Sequence, residues 1–169
     1  MDLGVAMGLI TSMGLDLSAT CTGLVVIGED IERGQTIQTP QHKGFARLQL
    51  IAAKVEDALE IWRPEVVIIE NYAFFRNIDS FIRLVEVGTV IRSILSQRKV
   101  PWYTVNVKAL KKWTTGNGNA KKPDMADAVK QRWGYQSPSD DIIDGYALAK
   151  MGQLPLSELL ALKGVAAGV

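Results

Sequence analysis

A run of four branched apolar residues that closes on a carboxylate, Val66-Val-Ile-Ile-Glu70, restricts this chain more than any other feature. An unbroken β-branched run is what a strand covered on both faces requires, yet Glu70 ends it with a charge. The same conflict recurs at Asp16 inside Met13-Gly-Leu-Asp-Leu-Ser18, and at Asp141 and Asp144 around Ile142-Ile143. Taking an ionised carboxylate out of water costs on the order of several kcal/mol unless a partner or a metal compensates. Three such places imply a common partner, and a shared cation is the simplest one.

The pattern around these residues defines the order of elements. Ile10 to Ser18 reads as a strand, Ala19 to Thr22 as a turn, and Gly23 to Gly28 as a second, almost wholly apolar strand. Gln35 to Thr39 is a third strand, short and polar enough for a sheet edge, so the chain opens with a meander. From Gly44 to Trp62, Phe45, Leu48, Ile51, Val55, Leu59 and Trp62 recur at helical spacing, and Pro64 ends that helix. The strand Val66 to Ile69 follows a helix and should run parallel to its neighbour. Ile78 to Gln97 reads as a second long helix and Val100 to Val105 as a fifth strand.

Asn106 can cap a short helix that carries Lys108, Lys111 and Lys112. A glycine-containing loop, Thr114 to Asn119, leads to Lys121 and Lys122 and to a helix starting near Pro123 and stopped by Gly134. Ser139 or Asp140 can cap the next helix, on which Asp141 and Asp144 share a face. The tail from Leu154 looks helical and then fades. The whole order predicts one α/β domain over residues 1–169 with a mixed five-stranded sheet flanked by helices.

Charge divides along the chain although the net value is only +1. Between Arg98 and Arg132 there are nine Lys or Arg against only Asp124 and Asp127, while the rest of the chain is acidic. A local excess of that size suits a polyanion, since Lys and Arg contacts to phosphate supply most sequence-independent affinity for nucleic acid. Apolar runs fall short of the roughly 18 to 20 residues a bilayer crossing needs, so no membrane role is expected. One cysteine, Cys21, excludes an internal disulfide and a cysteine-rich zinc site, and a cytoplasmic protein is expected; as a lone thiol it reads as a small buried apolar residue.

Clustered carboxylates without a cation would force at least one to stay protonated. Carboxylate oxygens are hard ligands that prefer magnesium or manganese, and neither His42 nor Cys21 makes a zinc set. Two such ions about 4 Å apart suit an in-line displacement at phosphorus. As single observations, Asp16 reads as a turn residue, Glu70 as the partner of Arg76, and Asp140 and Asp141 as helix caps. Their apolar settings and the three-residue step to Asp144 favour a joint role, with Asp141 preferred over Asp140. Trp113, amid Lys111 and Lys112, is the best candidate for stacking on a base, though packing is the commoner use of tryptophan.

The strand-turn-strand Gly14-Leu-Asp16-Leu-Ser18 with Thr22-Gly23, the strand-end Glu70 followed by Asn77-Ile-Asp79-Ser80, and the pair Val107-Lys108 resemble the RuvC-type Holliday junction resolvases. So do Gly118-Asn-Ala120 with Lys122, and Asp141-Ile-Ile-Asp144-Gly-Tyr-Ala-Leu-Ala149. The resemblance runs from about Met13 to Met151, with the motifs in order. It implies a ribonuclease-H-like fold, a homodimer that uses the second long helix, and magnesium-dependent nicking of four-way DNA junctions with two ions per site. It makes Asp16, Glu70, Asp141 and Asp144 the metal-binding catalytic set, and it brings Lys108 and Lys122 to the DNA, Lys122 with a catalytic role.

Asp16-Leu-Ser18 stands where many cellular members carry Asp-Pro-Gly, which is similar to divergent or phage-encoded members. Ala73 occupies a position where they often place an aromatic wedge, so Phe74 and Phe75 are the candidates for it. Arg76, Lys111, Lys112 and Lys121 complete the expected DNA contacts. Met7 and Met13 are alternative starts. The branch-migration partner stays open, as do a nuclease for forks, flaps or RNA, a non-catalytic DNA-binding module and an actin-like nucleotide-binding domain.

Overall fold

The computed structural model describes residues 9–72 and 77–168. In chain order the elements are β1 (Ser12–Asp16), β2 (Cys21–Ile27), β3 (Glu32–Gln38), α1 (Gly44–Trp62), β4 (Val66–Glu70), α2 (Ile78–Gln97), β5 (Trp102–Val105), α3 (Val107–Thr115), α4 (Lys122–Trp133), α5 (Asp140–Gly152), α6 (Leu156–Ala161) and β6 (Val165–Ala167). The strands form one six-stranded sheet in the order β3-β2-β1-β4-β5-β6. The meander β1 to β3 is antiparallel, β1, β4 and β5 run parallel, and β6 returns antiparallel to β5. The expected mixed sheet is therefore present with one strand more than the five predicted. The fading tail pairs through Tyr103 with Ala167 and Val105 with Val165, a use of small, weakly patterned residues that only a waiting sheet edge can specify.

Helix ends follow the local chemistry. The side chain of Asn77 accepts from Asp79 N at 2.9 Å and Asn106 from Lys108 N at 2.8 Å, which caps α2 and α3. Ser139, rather than Asp140, caps α5 by accepting from Ile142 N. Gly116 and Gly134 end α3 and α4 in the left-handed region, with φ of 84° and 72°. No described helix is long and apolar enough to cross a membrane.

Two apolar layers cover the sheet. On one face Met13, Leu15, Leu24, Val26, Val67 and Ile69 meet Val55 and Leu59 of α1 and Val87 and Ile91 of α2. On the other, Val25, Ile27, Val66, Ile68 and Val105 meet Tyr146, Leu148 and Met151 of α5, with Leu110 of α3 and Val129 of α4. The alternation along each strand is the two-residue period of a sheet covered on both sides.

Helix α5 approaches the sheet unusually closely. A methyl group on Gly14 would strike the Gly145 carbonyl and the Ala149 amide, and one on Gly23 would strike the Asp141 carbonyl. Ser12 Oγ adds a buried hydrogen bond to Ala149 O at 2.7 Å. Replacing Gly14 with alanine should therefore push α5 off β1 and lower stability by about 1 to 3 kcal/mol, the usual cost of overpacking. Urea denaturation checks this, and an unchanged midpoint would mean that the helix is free to slide away.

Candidate active site

Strand parity decides which charges meet. On β1 the odd positions Met13 and Leu15 enter the layer under α1 and α2, so Ser12, Gly14 and Asp16 face α5. On β4, Val66 and Ile68 belong to the α5 layer, which turns Glu70 the same way. The parallel register pairs Leu15 with Ile69, and its next step sets Asp16 beside Glu70. Helix α5 contributes Asp141 from its first turn, held where Gly23 admits its backbone, and Asp144 one turn later. Three separate elements thus deliver four carboxylates to one end of the sheet.

Their electrostatics register the crowding. Asp16 is driven well above the ordinary carboxylate range, by burial first and then by the charges of Glu70, Asp144 and Asp141. Burial, followed by the Asp144 charge, raises Glu70 to about 7 against the opposing pull of Lys111. Asp144 rises to about 6, again chiefly through burial, with Lys111 and Lys122 working the other way. Cys21 corrects the expectation of an inert buried residue: it is half-buried, and desolvation with a hydrogen bond to Asp141 pushes its thiol up to about 11.

The lysines divide into two kinds. Lys122 Nζ pairs with Asp140 at 2.9 Å on the exposed rim, and the hydrogen bond to Asp140 leads the causes that raise its pKa. Asp140 is thus engaged by Lys122 and also raises Asp144, whereas Asp141 acts on Asp16, Glu70, Asp144 and Cys21. Lys111 is half-buried and is the basic group felt most strongly by Glu70 and Asp144. Lys108, Lys112 and Lys121 are exposed. Phe74, Phe75, Arg76 and Met7 lie outside the described residues.

Trp113 is already occupied: its ring lies 5.5 Å from that of Trp133, and the Arg132 guanidinium sits over both, at 4.8 and 4.4 Å. This internal stack is the packing role that is the commoner use of tryptophan. His42 is an exposed residue, as its sequence setting predicts.

One functional candidate escaped the sequence reading, and Lys111, expected only as a DNA contact, also lies beside the carboxylates. Lys111 was grouped with its neighbours as a surface lysine, because nothing in a three-lysine helix says which one turns inward. Arg47 was passed over, although it sits four residues before Ile51 and eight before Val55, in the register α1 buries. A cation at a core-facing helical position is the signal that marks it.

Four hard-oxygen donors, three of them with raised proton affinity, suit a divalent cation in donor chemistry, since a cation relieves their mutual repulsion. Among the described residues no group of three or more His, Cys, Asp or Glu side chains is closed into a metal cage.

A meander continued by parallel strands, with carboxylates at the ends of β1 and β4 and on α5, defines the ribonuclease-H-like nucleases. The family model of the crossover junction endodeoxyribonuclease RuvC matches residues 12–151, and the chain belongs to that family. The crossover junction endodeoxyribonuclease RuvC of Carboxydothermus hydrogenoformans is 26% identical over 155 residues, covering 88% of this chain and 98% of the relative. That of Pseudothermotoga lettingae is 28% identical over 117 residues, covering 68% of this chain and 72% of the relative. Among solved structures, T. thermophilus RuvC in complex with Holliday junction substrate aligns with a TM-score of 0.73 at 26% identity, covering 83% of this chain and 90% of that one. The yeast mitochondrial Holliday junction resolvase shares the fold, with a TM-score of 0.59 at 12% identity over 84% of this chain and 77% of that one.

Raised carboxylate pKa values make a stability prediction. Below the unfolded value near 4.5, Glu70 is neutral in both states and costs nothing. As pH rises towards about 7, the unfolded chain ionises first, so the metal-free protein loses stability across that window. For Glu70 alone the loss is on the order of 3 kcal/mol. Melting temperatures in EDTA should fall from pH 5 to pH 8, and the fall should be smaller in Glu70→Gln. Equal falls in both proteins would refute the placement of Glu70.

Proposed function

We propose that this protein is a magnesium-dependent endonuclease that resolves four-way DNA junctions, with manganese as a competent substitute. The observation that carries the reading is the convergence of Asp16, Glu70, Asp141 and Asp144 at one sheet edge beside the lysines of α3 and α4. Family membership supports it, as does the Holliday junction bound to the T. thermophilus relative.

In this reading the four carboxylates hold two magnesium ions. When bound, such a pair supplies Lewis acidity at phosphorus and a water acidified for attack. The rest is the work of the chain. Asp16 and Glu70, on adjacent strands, define a rigid base for the site, and α5 sets Asp141 and Asp144 against it. Because burial raises the proton affinity of Asp16, Glu70 and Asp144, loading the site releases protons and is favoured by higher pH.

Lys111, drawn towards Glu70 and Asp144, moderates the negative field when the site is empty. Lys122 is close enough to act on Asp16 and Asp144, and a phosphate arriving at the rim competes with Asp140 for its ammonium. In that position Lys122 stabilises charge that develops during hydrolysis. Lys108, Lys112 and Lys121 neutralise backbone phosphates, and Phe74, Phe75 and Arg76, in the connection from β4 to α2, meet the junction.

Paired nicks need paired sites, and α2 has a surface for a second copy. Ile78, Phe81, Ile82 and Val85 line an apolar groove of about 480 Å³ against Leu48. Ile78 and Ile82 are 65% and 49% exposed, which an isolated chain would not favour. The protein is taken to work in the cytoplasm as a homodimer.

Cleavage of a synthetic four-way junction tests the assignment. Glu70→Gln and Asp16→Asn should each lower the magnesium-dependent rate by at least about a hundredfold, the scale of removing one preorganised electrostatic contact. Fork, flap, duplex and RNA–DNA hybrid substrates should be cut more slowly than the junction. Variants that cut like wild type would dismiss the site. Ile82→Glu should convert a two-chain species to single chains in light scattering, and a single-chain mass for wild type would rule out the dimer.

A further inference from the structure

A cavity of about 470 Å³ opens behind the turn that follows Asp16. Its walls are Leu17, Ser18, Ala19 and Thr20 from that turn, Arg47 from the start of α1, and Ser80, Arg83 and Leu84 from the start of α2. It gathers two guanidinium groups and three hydroxyls, and no carboxylate lines it. Arg47 is 9% exposed, and its buried Nε has no hydrogen-bond partner. Ion pairs among the described residues join Arg98 to Glu56 and Glu60, and Lys122 to Asp140, so neither Arg47 nor Arg83 is neutralised there. Arg83 Nη2 donates to Ser80 Oγ at 3.1 Å, which holds it along the wall.

These features define one kind of ligand. A buried guanidinium with no counter-ion is unfavourable until an anion joins it. Arginine forks match phosphate oxygens two at a time, and hydroxyls can donate to the remaining oxygens. The first turn of α2, capped by Asn77, adds the positive end of its dipole. The volume is many times the roughly 30 Å³ share of one water, so a phosphate group fits with solvent around it.

We propose that this cavity is a phosphate-binding site, distinct from the carboxylate cluster and separated from it by the single step from Asp16 to Leu17. One source of the phosphate is the DNA backbone. Phosphates recur about every 3.4 Å of axis along a strand, so a strand seated at Asp16 has another phosphate within reach. The other source is a free phosphate anion. Only the first rests on the nuclease reading above.

The test measures binding of a labelled four-way junction in EDTA across a potassium chloride series. It compares the full-length wild type with Arg83→Gln, Arg47→Lys and the exposed charge control Arg33→Gln. Arg83→Gln should weaken binding about tenfold and reduce the log–log salt slope by about 0.9; Arg33→Gln should change neither. Single methylphosphonates along one strand should include a position that weakens wild type but not Arg83→Gln, which assigns the ligand to the DNA backbone. Inorganic phosphate that raises the melting temperature of wild type but not of Arg83→Gln, with no such position, assigns it to a free anion.

If neither effect appears and Arg83→Gln keeps the wild-type circular dichroism spectrum, the site is overturned. Should Arg47→Lys fail to fold, the half-exposed Arg83 still decides. Failure of this inference would leave magnesium-dependent junction cleavage intact. Failure of the nuclease reading would leave phosphate-dependent stabilisation intact.

Discussion

Helix α5 comes down onto the backbone of β1 and β2 at two points, because Gly14 and Gly23 leave room for the carbonyls of Gly145 and Asp141. Everything at the acidic edge depends on that contact. A helix held at the usual distance from a sheet, roughly 10 Å between layers, would carry Asp141 and Asp144 away from Asp16 and Glu70. The Ser12 hydrogen bond to Ala149 O and the fully buried Ala147, Leu148, Ala149 and Met151 fasten the helix along its length. The apolar interior of this helix thus serves the placement of the two charges at its beginning.

That placement works against stability. Burial is the leading cause of the raised pKa at Asp16, Glu70 and Asp144, and mutual repulsion adds to it. The two-sided apolar layers must offset this cost, and the acidic edge is built on β1 and β4, whose preceding residues are all buried. The same logic with reversed sign applies behind the β1–β2 turn, where Arg47 and Arg83 line one cavity with three hydroxyls and, among the described residues, no carboxylate. One turn of chain therefore separates a place that asks for a cation from a place that asks for an anion.

Much of this was legible in the sequence, for identifiable reasons. Val66 to Ile69 announces a strand covered on both faces, and the 3.6-residue period of Gly44–Trp62 and Ile78–Gln97 gives both long helices to their observed bounds. Asn106 and Gly134 mark ends that local hydrogen bonding alone dictates. The strand β6 was missed because Val165–Ala167 has no pattern strong enough to pair by itself. Cys21 was misjudged because its neighbours in sequence are apolar, whereas its neighbour in space is Asp141. The inward turn of Lys111 and the internal stacking of Trp113 depend on the angle at which α3 and α4 meet, which no local signal encodes.

The sequence by itself determined which residues carry charge against their surroundings, the order of strands and helices, and the two-residue parity that turns Asp16 and Glu70 to the same face. Those follow from periodicity and from the cost of burying charge, both readable along a line. Only the tertiary structure decided that β1 and β4 are neighbours, that Asp140 pairs with Lys122, and that no carboxylate among the described residues pairs with Arg47. Those outcomes depend on distances between residues far apart in the chain, and such distances are set by how closely α5 can approach the glycines beneath it.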